Sequence, residues 1–456
     1  MINNKNIKKV YYLFLFSHLV LWTIIPYISN VNLPLDTIEA LAWGSKLDWG
    51  YSKHPPLSAF AVELFYKIFG SQDWAYYLLS QIFIIISFIV IFKLSEDFFN
   101  NKLFALISIL LLEGIYFYNF TSPEFNVNVS QIPFWALSIF FSWRCFKHNQ
   151  TKDFILLGVF FGLGILSKYL FTYLMLGTLS LFIYLLFKKK IHILNIFITG
   201  VITFIILIPH IVWLFDNSFL SVLYGLNRTG GIGSLADHLT FPLILLIKQI
   251  GILIPFFIMS FFLFNKKNFK LNFKSEKIIF LFFMVITPIL LMFMTSFLLG
   301  IKIRTMWMTP YYLGLGILIV EVFKKNINEK KLQKFYIVFL FFFFASPLSY
   351  LVVSVVDETK RTDYPGKEIS RLVQNKWNDN FMNEIKIVIG DEWSAGNLSY
   401  HLNSRPIWIN ELKNNTSNIT DEQGVIYTGN PKILKKICPG VFGTIKPYGY
   451  CMIGKR

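Results

Sequence analysis

Residues 35–70 read LDTIEALAWGSKLDWGYSKHPPLSAFAVELFYKIFG and lie between the first two long apolar segments of the chain. They gather Asp36, Glu39, Asp48, Lys53, His54 and the pair Pro55-Pro56 in a chain otherwise poor in charge. Charge held beside a membrane costs free energy unless it is solvated, paired or used. The stretch therefore reads as one wall of an active site. Proline fixes its own φ and restricts the residue before it, so Lys53 and His54 are aimed rather than free. Two aimed cations suit a phosphate; the competing reading is an ordinary turn between interfacial helices. Asp36 and Glu39 are candidate catalytic acids, or else a helix cap and a solvated face.

Composition sets the frame for this stretch. The chain has 456 residues, 55% hydrophobic and 18% aromatic, with only 15% charged. A soluble domain carries roughly 25% charged residues. The deficit indicates a polytopic α-helical membrane protein. The net charge of +17 would suit nucleic acid, but its distribution argues against that. About 20 Lys and Arg fall in segments on one side of the expected membrane and about 7 on the other, the positive-inside pattern.

Eleven candidate spans follow at roughly 20 apolar residues each: 8–28, 74–94, 103–120, 129–147, 154–168, 169–187, 192–215, 240–265, 277–299, 306–323 and 335–356. Lys5, Lys8 and Lys9 place the N-terminus inside, and the first apolar run reads as an uncleaved helix. The basic segments at 144–152, 188–190, 266–277 and 324–334 then fall inside. Loops 29–73, 120–128, 216–239 and 300–305 fall outside, and so does everything after 356. Residues 1–356 are one membrane domain and 357–456 a small soluble α/β domain. The latter has strand-like runs at 386–390 and 406–410 and a helix near 395–402. Cys438 and Cys451 are either a disulfide, if that end faces an oxidising compartment, or two unpaired thiols. In the first outer loop, residues 36–47 and 58–70 read as helices lying in the interface, with Glu63 and Lys67 four apart as a pair.

Glu124 lies in FTSPEFNVNVSQ, the next outer loop. Beside Asp36 it would bind a divalent ion or act as a base, unless Ser122-Pro123 simply starts a helix there. Lys168, between two apolar segments, either snorkels or pairs with a phosphate or carboxylate inside the bundle. Arg228, in a Gly-rich loop at 225–233, and Arg304, near Lys302, are further outer-side cations. Walker, GxGxxG, HExxH and GxSxG signatures are absent, which argues against a nucleotide-driven pump.

An acid soon after the first helix, then GYSKHPPL, then FG before the second helix resembles the GT-C membrane glycosyltransferases. The bacterial relatives of protein O-mannosyltransferases and of the aminoarabinose transferase acting on lipid A are the most similar group. SPEFNVNVSQIPFWAL and GVFFGLGILSKY resemble their second outer loop and later helices, and RPIWI a strand of their outer domain. The resemblance implies an inverting transferase in a bacterial inner membrane, with its site and C-terminal domain on the periplasmic side. It implies a polyprenyl-phosphate sugar donor and an envelope acceptor, first of all lipid A or lipopolysaccharide. Asp36 matches the family's first-loop acid. Lys53 and His54 match its basic residue near the donor phosphate, and Glu124 falls near its second-loop acid. A protein O-mannosyltransferase is the nearest alternative, and a flippase or transporter of lipid-linked sugars the alternative from another class.

Overall fold

A computed structural model describes residues 4–230, 233–263, 275–327, 329–357, 359–410 and 421–456. Residues 231–232 of the Gly-rich loop, most of the basic segment 266–277 and residue 328 of the segment 324–334 lie outside the described residues. The membrane part begins with α1 (Asn4–Ser29), α2 (Leu35–Gly44), α3 (Leu57–Phe69) and α4 (Asp73–Phe99). There follow α5 (Lys102–Leu110), a short α6 (Val127–Ser130), α7 (Ile132–His148), α8 (Thr151–Ser167) and α9 (Thr172–Phe187). Next come α10 (Ile193–Asp216), α11 (Leu220–Arg228), α12 (Asp237–Leu263), α13 (Glu276–Leu281), α14 (Thr287–Leu299), α15 (Leu315–Phe323) and α16 (Glu329–Val356). Asn100 and Asn149, both in the left-handed region, end α4 and α7. Asn101 caps α5 by accepting from the Leu103 and Phe104 amides.

Among the described residues, seven helices are long and apolar enough to cross a membrane. An eighth span arises if Thr305–Tyr312 and Leu315–Phe323, bent by 52°, are taken as one. The remaining three expected spans differ from a simple crossing. α7 and α8 have 17 residues each, and the expected helix at 103–120 stops as α5 after nine. The chain there continues as 3₁₀ turns at Leu111–Gly114 and Tyr116–Tyr118. Two polar contacts explain the break. Glu113 Oε2 pairs with His18 Nδ1 of α1 at 2.9 Å, both side chains fully buried. Asn119 Nδ2 donates to the Glu113 carbonyl at 2.6 Å, replacing a helical bond. Gly114 also lies so close to α12 that a Cβ would sit 2.6 Å from Phe256 Cα.

The C-terminal unit comprises α17 (Gly366–Asn378), α18 (Ser394–His401), α19 (Pro431–Ile437) and five strands. The strands are β1 (Ile387–Ile389), β2 (Ile407–Ile409), β3 (Val425–Gly429), β4 (Val441–Ile445) and β5 (Tyr448–Ile453), in the order β2-β1-β3-β5-β4. β1 is parallel to β2 and β3, while β5 is antiparallel to β3 and β4. Trp377, Val388, Leu398, Ile426 and Met452 fill its core, and Cys438 is disulfide-bonded to Cys451. The expected strands and helix are all present.

This unit is seated on the loop at 29–73. Gly396 of α18 approaches α2 so closely that a Cβ would meet Ile38 and Ala42 at 3.1 and 3.2 Å. Arg405 Nη2 donates to the Leu41 carbonyl at 2.7 Å and to Glu63 Oε2 at 2.9 Å. Glu63 thus pairs across the junction rather than with Lys67, because the guanidinium is buried beside it. The Trp408 amide donates to Ser45 Oγ at 2.8 Å, and Tyr400 to Asp73 Oδ1 at 2.6 Å.

Candidate active site

The loops at 29–73 and 120–128 meet at Asp36. Pro34 precedes α2 and its carbonyl accepts from the Ile38 amide. Asp36 therefore falls in the first helical turn, where a carboxylate suits the helix dipole. The Asp36 amide donates to Glu124 Oε1 at 3.1 Å, and Thr37 Oγ1 donates to the Phe125 carbonyl at 3.1 Å. The helix after Glu124 starts at Val127, with Asn126 accepting from the Asn128 and Val129 amides. It does not start at Ser122-Pro123, because Ser122 Oγ turns back to the Asn119 carbonyl. Glu124 thus caps no helix of its own segment; its carboxylate instead accepts a first-turn amide of α2, and it lines the same cavity as Asp36.

Asp36 and Glu124 line a cavity of about 480 Å³ together with Tyr116, Tyr350, Lys360 and Arg361. Burial pushes the Asp36 carboxyl up, opposed by the charges of Lys168, Lys53, Arg361 and Arg228. Burial and then the Asp36 charge push Glu124 up.

A second cavity of about 610 Å³ is lined by Lys53, His54, Lys168 and Arg228 and otherwise largely by apolar and aromatic side chains. Tyr169, Tyr224 and Trp307 are among them, and Ser221 adds a hydroxyl. Met306 lines the first cavity and Trp307 the second, so the cavities are neighbours across one turn of chain. Lys168 sits in extended backbone between α8 and α9. It is buried rather than snorkelling: its ammonium donates to Asn128 Oδ1 and lies 5.4 Å from the Trp307 ring centre. Burial lowers its pKa to about 7, with Asp36 opposing the shift. Tyr169 hydrogen-bonds His210 Nε2 at 2.9 Å and Ser221 Oγ at 2.6 Å, and His210 Nδ1 donates to the Trp49 carbonyl at 2.6 Å. This chain of contacts ties α10 and α11 to the first loop around the cavity.

The first-loop cations are modified by their surroundings. Lys53 pairs with Glu39, and with Glu392 Oε1 at 3.1 Å. These partners outweigh burial and raise its pKa, so it stays charged. Burial pushes the Glu39 carboxyl up to about 7, opposed chiefly by Lys53. Burial, then Lys168, Lys53 and Arg228, push the His54 imidazole down to about 3. His54 is therefore a neutral hydrogen-bonding ring rather than the second cation expected from the KHPP turn. Arg228 lies at the end of α11, not in a loop, with its guanidinium 5.9 Å from the Tyr224 ring centre. Arg304 lines a separate space with Lys248 and Lys302 and is not among the residues lining the second cavity.

A divalent ion held by Asp36 and Glu124 fits these residues poorly. One Glu124 oxygen already accepts the Asp36 amide. Among the described residues, no group of three or more His, Cys, Asp or Glu side chains forms a metal site. Sequence reasoning missed Glu392, Arg361, Tyr169 and Ser221. Glu392 and Arg361 reach the site only because the C-terminal unit docks on the first loop, which no local pattern announces. Arg361 alone had a signal, as a cation just past the last span.

Residues 53–213 match the model of a family described as dolichyl-phosphate-mannose-protein mannosyltransferase. The chain is similar to the crystal structure of ArnT from Cupriavidus metallidurans bound to undecaprenyl phosphate, with a TM-score of 0.68 at 12% identity. That match covers 97% of this chain and 98% of ArnT. The apo state of ArnT from the same organism matches with a TM-score of 0.64 at 11% identity, covering 98% of each chain. A search of curated proteins by sequence finds no significant match. The chain shares the fold of ArnT, over its membrane part and its C-terminal unit alike.

Proposed function

We propose that this chain is an inverting glycosyltransferase that moves a sugar from a polyprenyl phosphate to an envelope acceptor, lipid A or lipopolysaccharide first of all. The observation that carries this reading is that Asp36 lines one of two neighbouring, unlike cavities. One is largely apolar with cations at Lys53, Lys168 and Arg228. The other holds the carboxyls of Asp36 and Glu124 with Arg361 and Lys360. A polyprenyl phosphate is amphiphilic, and the cavity lined by Lys53, Lys168 and Arg228 offers both an apolar wall and cations. The family match over residues 53–213 and the likeness to a structure bound to undecaprenyl phosphate support the same donor class.

Transfer breaks the bond between the anomeric carbon and the phosphate oxygen, and the electron pair leaves with the phosphate. Lys168 and Arg228 stabilise the charge that develops there, and neutral His54 donates a hydrogen bond. Lys53, held by Glu39 and Glu392, fixes the first loop and adds positive potential. The acceptor oxygen attacks from the opposite face, so configuration inverts. With a hydroxyl acceptor, Asp36 takes the proton as general base. With an acceptor phosphate already ionised, no base is needed and Asp36 orients the attacking group. The site and the C-terminal unit then face the periplasm of a bacterial inner membrane, where such acceptors are found.

Mass spectrometry of lipid A from cells with and without the gene tests the acceptor. Loss of one sugar mass supports the reading. Unchanged lipid A contradicts it and moves the acceptor to a protein or another envelope glycan.

A further inference from the structure

Beside the two cavities is a third space, of about 390 Å³, lined by Arg228, Lys248, Lys302, Ile303, Arg304, Thr305 and Met306. Four of its seven lining residues are cations and none is acidic. Among the described residues, none of the four cations is in an ion pair. The nearby acid Asp237 is engaged elsewhere, accepting from the Ser234 amide and hydroxyl at 2.8 and 2.7 Å.

The cluster is held in place from behind. Gln249, next to Lys248 and buried, donates to the Thr305 carbonyl at 3.1 Å and accepts from Tyr312 at 2.9 Å. That anchor pins α12 to the chain just after Arg304, bringing Lys248 and Arg304 to one space. The Lys302 amide reaches the Thr229 carbonyl, which ties the same segment to the end of α11 beside Arg228. Lys248 is also misplaced for a simple span. It follows Asp237 by 248 − 237 = 11 residues in an otherwise apolar helix, roughly 16 Å along the axis. Lys248 is exposed in that space, and an unpaired cation within an apolar helix is a functional signal by default.

We propose that Lys248, Lys302 and Arg304, with Arg228 at their edge, form a binding site for the phosphate groups of a lipid, distinct from the donor-phosphate site. The space shares Arg228 and Ile303 with the donor cavity and Met306 with the Asp36 cavity. A phosphate-bearing lipid held there is at the common edge of both and has its headgroup within reach of Asp36. Several cations in one space suit a headgroup with more than one phosphate better than a neutral polypeptide. That this lipid is the acceptor rests on the transferase reading above; the anion site itself does not.

Binding to the purified full chain in nanodiscs tests the site. The probes are bisphosphoryl lipid A, dephosphorylated lipid A, inorganic phosphate and undecaprenyl phosphate. The wild type binds bisphosphoryl lipid A more tightly than the dephosphorylated form, and less tightly as salt is raised. The Lys248→Ala, Lys302→Ala, Arg304→Ala triple variant binds it about tenfold or more weakly and keeps its affinity for undecaprenyl phosphate. A charge-retaining variant, Lys248→Arg with Lys302→Arg and Arg304→Lys, binds it within about threefold of wild type, against roughly 1.4 kcal/mol per tenfold. Equal binding of both lipid A forms by the wild type overturns the proposal. So does inorganic phosphate competing as well as the lipid, or loss of undecaprenyl phosphate binding in the charge-retaining variant. If binding behaves as expected but no sugar is transferred, the transferase reading fails and the anion site stands.

Discussion

Replacing Lys168 by methionine removes a buried cation from the donor cavity and leaves a side chain of similar reach. In the wild type the ammonium donates to Asn128 and faces Trp307, and burial brings its pKa to about 7. The charge is therefore lost progressively as pH rises from 7 to 8.5. A lipid phosphate is already largely dianionic across that range, its second ionisation lying near pH 6. A charge-assisted contact of this kind contributes about 1.5–3 kcal/mol, or roughly ten- to hundredfold in affinity. Undecaprenyl phosphate should therefore bind the wild type roughly tenfold more weakly at pH 8.5 than at pH 7. Lys168→Met should bind about tenfold more weakly at pH 7 and show little change with pH. The folding equilibrium gives an independent sign. The folded pKa lies below the unfolded value, so the folded chain binds fewer protons between about pH 7 and 10.4 and gains stability as pH rises through that window. Lys168→Met loses that slope. Titration of undecaprenyl phosphate into nanodisc-embedded protein at both pH values is the assay. A variant with wild-type affinity and the wild-type pH profile refutes the role given to Lys168.

Arg405→Ala should loosen the C-terminal unit by about 3 kcal/mol, since it leaves Glu63 buried without its partner; a lower melting temperature and cleavage between residues 357 and 366 by added protease would report this, and unchanged resistance would contradict it. A cysteine at Met382, which is 89% exposed on the C-terminal unit, should react in intact cells with a membrane-impermeant maleimide. Cys145 is buried and the other two cysteines are bonded to each other, so they give little background. Labelling only after lysis would reverse the proposed orientation.

Much of the fold was legible because apolar length is a local signal. Seven helices and the bent pair stand where hydrophobic runs place them. The segment 103–120 was misread for a reason composition does not carry. Its helix yields to contacts made by Glu113 and Asn119, and the partner of Glu113 is His18, 95 residues away. In the site, the KHPP turn announced a charged first loop, and Lys53 is a paired cation there. It did not announce that Lys53 is flanked by Glu39 and Glu392, or that burial among cations leaves His54 neutral. Lys168 was legible as an odd charge between apolar helices. Its direction was not, because whether a lysine snorkels or turns inward depends on what faces it, here Asn128 and Trp307. Arg304 and Lys302 read as outer-side cations by their position along the chain alone, whereas Gln249 and Thr305 hold that segment against Lys248.

The most direct test of the account is sugar transfer itself, measured in proteoliposomes as undecaprenyl phosphate released from a sugar-linked undecaprenyl phosphate in the presence of lipid A. The wild type should release it and pass the sugar on with inverted configuration. Asp36→Asn should lose transfer by roughly 10²- to 10⁴-fold for a hydroxyl acceptor, with folding intact, because the Asp36 contact to the second loop is made by its backbone amide. Near-normal turnover by Asp36→Asn, or no release by the wild type with any lipid-linked sugar, would contradict the central claim.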